Sequence, residues 1–317
     1  MGDNEIVMAN VCGIQRLTFV CANVLAENYF ARVPLAHALF RAAELVMLEE
    51  AALEPPVLDV GCGRGEFAGL ALTGSIDEGV DLSASDLDFA RRTGCYRQLS
   101  QADARSLPYP DGTFRSVLSI SVLEHVQQPD LAVREIHRVL APGGLFVATV
   151  VLKEIHDHLA IASAFQRYGF AALADAYFRV HDRLFRHVCL FSQRQWEELL
   201  SEAGFEPVRR SRVVSRRVVR WWEGLMWLAW PYRVWRCAGD LLARKPRWLA
   251  RWLNRRFERL MREEDDEGAC LFIVAQKPHG PSNAEVRAEP DWERERAAGD
   301  ENQALALVSV CGEARRG

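Results

Sequence analysis

From residue 34 to 151 the chain alternates short apolar runs with stretches whose apolar residues return every three or four positions. "PLAHALFRAAELVMLEEA" sets Leu39, Ala43, Val46 and then Leu53 at helical spacing over 34–52, and Pro55-Pro56 stops that helix. "VLDV" at 57–60 is a short apolar strand closed by glycine, with a helix following from about Glu66 to Leu72. "EGVDLS" at 78–83 predicts a strand ending in an acid and leads into a helix over Ser85–Arg92. "RSVLSISVLEHV" at 115–126 is a further strand, "LAVREIHRVL" at 131–140 a helix closed by Ala141-Pro142-Gly143-Gly144, and "LFVATVV" the fifth strand. Strands alternating with helices predict a mostly parallel sheet covered on both faces.

Beyond Lys153 the pattern is helical as far as Leu190, where a lid would follow the fifth strand. Ser192 is placed to cap the helix in "FSQRQWEELLSEAGF", and Gly204 to end it. "EPVRRSRVV" and "ACLFIVAQK" read as two last strands, a hairpin interrupted by an insertion over 216–267. Residues 279–317, rich in Pro, Gly, Glu and Arg, read as a disordered tail.

Composition narrows the class. A chain of 317 residues, 49% hydrophobic, buries a full core. The 8 cysteines are scattered without C-x-x-C pairs, which favours reduced thiols in a cytosol and predicts no metal site. Acids at Asp3 and Glu5 speak against a secretory signal, and no apolar run reaches the roughly 18–20 residues that span a bilayer. The expected location is cytoplasmic, peripheral on the inner face of the membrane if it meets one.

The net charge of -4 hides a strong asymmetry. Arg209–Arg262 holds 16 Lys or Arg against Glu223, Asp240 and Glu258, a local charge of +13, so the remainder carries -17. Seven of the nine tryptophans, 221, 222, 227, 230, 235, 248 and 252, lie there. Trp suits a boundary between apolar and polar media, and "RWLARWLNRRFERLM" puts Trp248, Leu249, Trp252, Leu253, Phe257, Leu260 and Met261 on one helical face. The preferred reading of 216–262 is a helix pair lying on an anionic membrane. A basic hairpin packed on the protein or in a dimer is the alternative. Nucleic acid is not expected, because the aromatic stripe continues into aliphatic residues.

The candidate chemistry begins at Asp59, which is followed by Gly61, Gly63 and Gly65 at the carboxyl end of the first strand, where open α/β sheets bind ligands. A dinucleotide fingerprint needs glycine at 66, and Glu66 there disfavours a pyrophosphate. Asp81, 22 residues after Asp59, can accept both hydroxyls of a ribose, and Asp103 can accept from an adenine amino group.

"VLDVGCGRG", "GVDLS", "ADARSLPYPDGTF", "VLSISVLEHV" and "REIHRVLAPGG", in this order, resemble the class I S-adenosylmethionine-dependent methyltransferases, particularly those that include the ubiquinone and menaquinone enzymes. The resemblance covers about 34–150, 187–210 and 269–277. It implies a Rossmann-like, doubly wound α/β fold with a mostly parallel seven-stranded sheet, a methyltransferase domain over 34–278 with its lid at 151–190, and an N-terminal helical extension over 1–33. It implies S-adenosylmethionine as cofactor. Asp59, Gly61, Cys62, Gly63 and Gly65 would hold the methionine part, Asp81 and Leu82 the ribose side, Asp103 with Ala104 the adenine, and Ser119 with the residues after it the floor near the methyl group. "ATVV" departs from the family where many relatives carry proline after the threonine.

Methyl transfer requires in-line placement of a nucleophile and, for a hydroxyl acceptor, a base, for which histidine is best poised near neutral pH. His125 in "VLEHV" and His187 before "LFS" are the candidates. His156 and His158, two apart on a helix, face away from each other and make a poor chelate. The expected activity is methyl transfer to a hydrophobic or lipid-linked acceptor at a membrane surface. The alternatives are a soluble small-molecule methyltransferase whose insertion dimerises it, and a non-catalytic docking protein of the same fold. Oligomeric state stays open.

Overall fold

The computed structural model describes residues 17–234, 245–263 and 265–279. The expected tail from 280 onward, the first 16 residues of the N-terminal extension and part of the basic insertion lie outside the described residues. The extension opens with β1 (Leu17–Thr18) and α1 (Ala22–Arg32), followed by α2 (Leu35–Glu44). The single helix expected over 34–52 is thus divided: α2 stops at Glu44, a 3-10 turn spans Val46–Glu50, and β2 (Ala52–Leu53) pairs antiparallel with β1.

β3 (Val57–Val60), α3 (Glu66–Ala71), β4 (Ile76–Asp81), α4 (Ala84–Thr93), β5 (Tyr96–Gln101), β6 (Phe114–Ile120), α5 (Pro129–Val139) and β7 (Leu140–Val151) make the alternating half. The lid follows as α6 (Ile155–His158), α7 (Ala160–Arg167) and α8 (Ala171–Phe185), and then α9 (Gln193–Glu202) and β8 (Glu206–Val213). Two helices, α10 (Arg216–Val234) and α11 (Arg247–Met261), precede β9 (Cys270–Gln276).

The seven-stranded sheet has the order β5-β4-β3-β6-β7-β9-β8, parallel except where β9 runs antiparallel to both β7 and β8. Side chains alternate across it. Val57, Leu118, Val147 and Phe272 face the core shared with α1, α2, α10 and α11, while Leu58, Val117, Phe146 and Leu271 face the core shared with α5 and α9. This is the doubly wound arrangement that the alternation predicts.

Two boundaries moved for identifiable reasons. The strand expected to run to 126 ends at Ile120, because Ser121 takes a left-handed φ of 51° and its N–H turns to the Thr149 carbonyl at 2.9 Å. Leu123–His125 then form a 3-10 turn. β7 begins at Leu140 rather than Leu145, since Leu140 already pairs with Phe114. Ser192 caps α9 as expected, completing a reciprocal capping box with Gln195.

The basic insertion packs on the N-terminal helices. Leu253, Phe257, Leu260 and Met261 of α11 are buried, with Phe257 stacked 6.1 Å from Phe30 of α1, and each apolar side chain contributes about 1.5–3 kcal/mol. The single apolar face expected for α11 is therefore split: Trp248 and Trp252 stay 70% and 58% exposed. On α10, Trp222 is buried against Phe40 of α2, while Trp221 and Trp227 remain exposed.

Candidate active site

A cleft of about 900 Å³ opens at the carboxyl ends of β3 and β4, where parallel strands leave backbone groups facing a crevice. Gly61, Asp81, Leu82, Asp103 and Ala104 line it. The glycine turn is built by close packing as well as by φ. At Gly61, φ is +79° and an added Cβ would sit 2.4 Å from a Val122 methyl carbon. At Gly63, φ is +51° with open space beyond, so conformation alone demands glycine.

Asp81 organises this turn. Its Oδ2 accepts the Gly63 N–H and its Oδ1 the Ser83 N–H, both at 2.8 Å, and each oxygen keeps a further lone pair for a hydroxyl. A carboxylate bonded to the glycine loop, with Glu66 in the first turn of α3, opposes a phosphate there. Leu82, 68% exposed, offers an apolar side chain beside it. These features fit an uncharged adenosine moiety and a zwitterionic amino acid better than a dinucleotide.

Asp59 lies beneath the turn, almost fully buried, and accepts from Tyr96 Oη at 2.7 Å. Burial pushes its carboxyl up to about 7, outweighing the Tyr96 hydrogen bond. Asp103 is held by Arg105, whose Nη2 donates to Oδ2 at 2.7 Å and whose backbone N–H donates to Oδ1 at 2.9 Å. These bonds keep Asp103 ionised below the usual carboxylate range.

A second, smaller cavity of about 100 Å³ adjoins the first, sharing Ser121, His125 and Phe185 with it. Phe40, Val151, Ile155 and Trp222 give it apolar walls, and Arg41, Glu124, His181 and His187 supply the polar groups. Ser121 stands at the junction with its strained backbone, and its hydroxyl donates to the fully buried Glu44. Glu44 also accepts from Arg41 Nη1 at 2.7 Å and from Thr149 Oγ1 at 2.5 Å. Glu124 is fully buried; its Oε2 has no hydrogen-bond partner, and burial pushes its carboxyl up to about 8, so it carries a proton at neutral pH.

His125 reaches both cavities. Its Nδ1 lies 3.0 Å from the Arg186 carbonyl, which can only accept, so Nδ1 holds the proton and Nε2 the lone pair. Its ring stacks on His187 with centroids 5.5 Å apart. His187 belongs to the wall of the smaller cavity, its Nδ1 lying 3.5 Å from Asp182 Oδ1.

The structure thus gathers Gly61, Asp81, Leu82, Asp103, Ala104 and His125 around one cleft, and His187 around the pocket beside it. Asp59, Cys62, Gly63 and Gly65 support the turn from outside the cleft's lining. Ser119 is fully buried within β6, and of the residues after it Ser121 lines both cavities. Sequence reasoning did not single out Arg41 or Glu44, and it read Trp222 only as part of the basic insertion. The one available signal was buried-helix polarity, an acid and an arginine inside the apolar pattern of α2.

A family model described as a methyltransferase domain matches residues 30–210, more than half of the chain. The chain belongs to this family, the class I S-adenosylmethionine-dependent methyltransferases, and S-adenosylmethionine is the cofactor the family uses. Among curated relatives, a methyltransferase GfsG of Streptomyces halstedii is 36% identical over 129 residues, covering 38% of this chain and 45% of the relative. A fatty-acid O-methyltransferase of Mycolicibacterium smegmatis is 39% identical over 98 residues, covering 29% and 36%. The matched stretches thus span less than half the length of these relatives. A solved S-adenosylmethionine-dependent methyltransferase of Thermotoga maritima, described as a possible histamine N-methyltransferase, aligns with a TM-score of 0.49 at 18% identity over 77% of this chain and 91% of its own.

Proposed function

We propose that the protein transfers a methyl group from S-adenosylmethionine to a hydrophobic or lipid-linked acceptor, which it meets at an anionic membrane surface. One observation carries this reading: a large polar cleft and a small aromatic-walled pocket meet at Ser121, His125 and Phe185. The pocket's volume admits the reacting end of an acceptor and leaves the remainder to lie along the lid. The relative named a fatty-acid O-methyltransferase bears a name that fits an apolar acceptor.

The glycine turn with Asp59 would hold the methionine part of the cofactor, Asp81 and Leu82 its ribose side, and Asp103 with Ala104 its adenine. Bound there, the cofactor supplies an electrophilic methyl group on a positively charged sulfur. His125 accepts the acceptor's proton at Nε2, with its ring steadied by His187 and the Arg186 carbonyl. Glu124, protonated and with its Oε2 unpartnered, donates a hydrogen bond to the acceptor's polar end. Phe40, Phe185 and Trp222 exclude water from the pocket.

Membrane docking is assigned to the exposed tryptophans 221, 227, 248 and 252 and the arginines around them. No helix among the described residues is long and apolar enough to cross a membrane. The test offers labelled S-adenosylmethionine and lipid extract to the protein with vesicles. Expected are label in the organic phase, its loss in His125→Ala, and co-sedimentation with anionic vesicles that salt weakens. Normal turnover in His125→Ala removes the base, and pelleting indifferent to anionic lipid removes the docking surface.

A further inference from the structure

Three lid imidazoles converge on one carboxylate oxygen. Asp182 Oδ1 lies 2.8 Å from His156 Nε2, 3.1 Å from His181 Nδ1 and 3.5 Å from His187 Nδ1. His156 comes from α6, the pair His181–Asp182 from the last turn of α8, and His187 from the segment just beyond it, where the backbone turns through a left-handed Arg186.

A carboxylate offers about four acceptor sites over two oxygens, so N–H groups that merely hydrogen-bond to it can spread across both. Here all three imidazoles approach the same oxygen, and His187 Nδ1 is buried without making a hydrogen bond. The three nitrogens stand 2.8–3.5 Å from the carboxylate oxygen, near the roughly 3.3 Å that separates ligand atoms around an ion with bonds of about 2.0–2.1 Å. The ligand atoms of His156, His181 and Asp182 also lie within 4.8 Å of one another.

We propose that His156, His181 and Asp182 form a three-ligand site for a zinc-class divalent ion that fastens α6 to the end of α8, with His187 beside it. Two imidazole nitrogens and a carboxylate oxygen suit zinc; magnesium and calcium demand mostly oxygen. The rings are fixed from behind by aromatic packing, His156 stacked 4.5 Å from Phe178 and His181 set 4.9 Å from Phe185 and 5.8 Å from Trp222. His181 and His187 also line the smaller cavity, so the ion holds that wall in shape. The spacing His156-x-His158 does not reveal the site, because His158 turns away to the Glu267 carbonyl at 2.5 Å and the true partners are more than twenty residues distant.

The full-length protein, stripped with a chelator, is titrated with zinc by calorimetry and with cobalt by visible absorption. Expected are one zinc per chain, the strong visible bands of tetrahedral cobalt, and a higher thermal midpoint with zinc. Loss of a supporting partner alone typically costs about 10–100-fold in affinity, so His156→Gln and Asp182→Asn should lose roughly 100-fold or more. Asp157→Asn, an exposed acid beside His156, should bind as the wild type does. No zinc uptake by the wild type, a cobalt spectrum that is not tetrahedral, or undiminished uptake in His156→Gln overturns the site. If a variant fails to fold, the wild-type cobalt spectrum decides alone.

Discussion

The two cavities are built in opposite ways. The large cleft is lined mainly by contiguous stretches at strand ends, around 60–61, 80–86, 102–105 and 121–127, with Phe185, Arg186 and Val188 of the lid, whereas the pocket beside it draws on α2, the turn after β6, β7, α6, α8 and α10. The cleft inherits its geometry from the sheet, whose register positions the loops directly. The pocket exists only when six separate elements have packed, so it is the place where the family scaffold can be varied without disturbing cofactor binding.

The largest effect that tests this contrast is Trp222→Ala. The ring is buried among Phe40, Phe185 and His181, and its removal is expected to cost about 3–5 kcal/mol in denaturant unfolding. In the folded variant, calorimetric affinity for S-adenosylmethionine should hold while methyl transfer fails. A parallel loss of affinity breaks the separation of the two cavities.

Next comes Asp81→Asn. Hydrogen bonds to a charged group are worth about 1.5–3 kcal/mol, so cofactor affinity should fall roughly 10–100-fold by calorimetry. The amide keeps one acceptor for the turn, which separates ligand binding from collapse of the Gly63 and Ser83 contacts. Unchanged affinity refutes the ribose assignment.

A third test is a pH slope. Burial raises the Asp59 carboxyl to about 7 in the folded protein, against about 3.9 in an unfolded chain. Between those values the folded state binds the extra proton, so this group's contribution makes stability fall as pH rises from about 4 to about 7. Asp59→Asn should flatten that component, seen by comparing unfolding midpoints across the window. An identical slope in both proteins excludes Asp59 as its source.

Much of the scaffold was legible because its determinants are local. An apolar run closed by glycine marked β3, a strand ending in an acid marked β4, Ser192 marked the start of α9, and Asp81 at a strand end lay on the cleft as its position implied. Alternation along β6 turns Ser119 inward, and the left-handed turn at Ser121 brings that later serine to the junction. A positive φ on a serine leaves no mark in hydrophobic pattern.

By itself the sequence determined the mostly parallel α/β sheet and the glycine turn with its acids, because each depends on short-range periodicity and spacing, and its motifs carried the resemblance to the family and to the cofactor that goes with it. Only the tertiary structure decided that α11 divides its apolar face between α1 and solvent, that Glu44 beneath Ser121 joins the second cavity's frame, and that His156 meets His181 and Asp182. Those outcomes depend on which faces of distant helices are buried together, and burial is a property of the packed chain that no single stretch of residues carries.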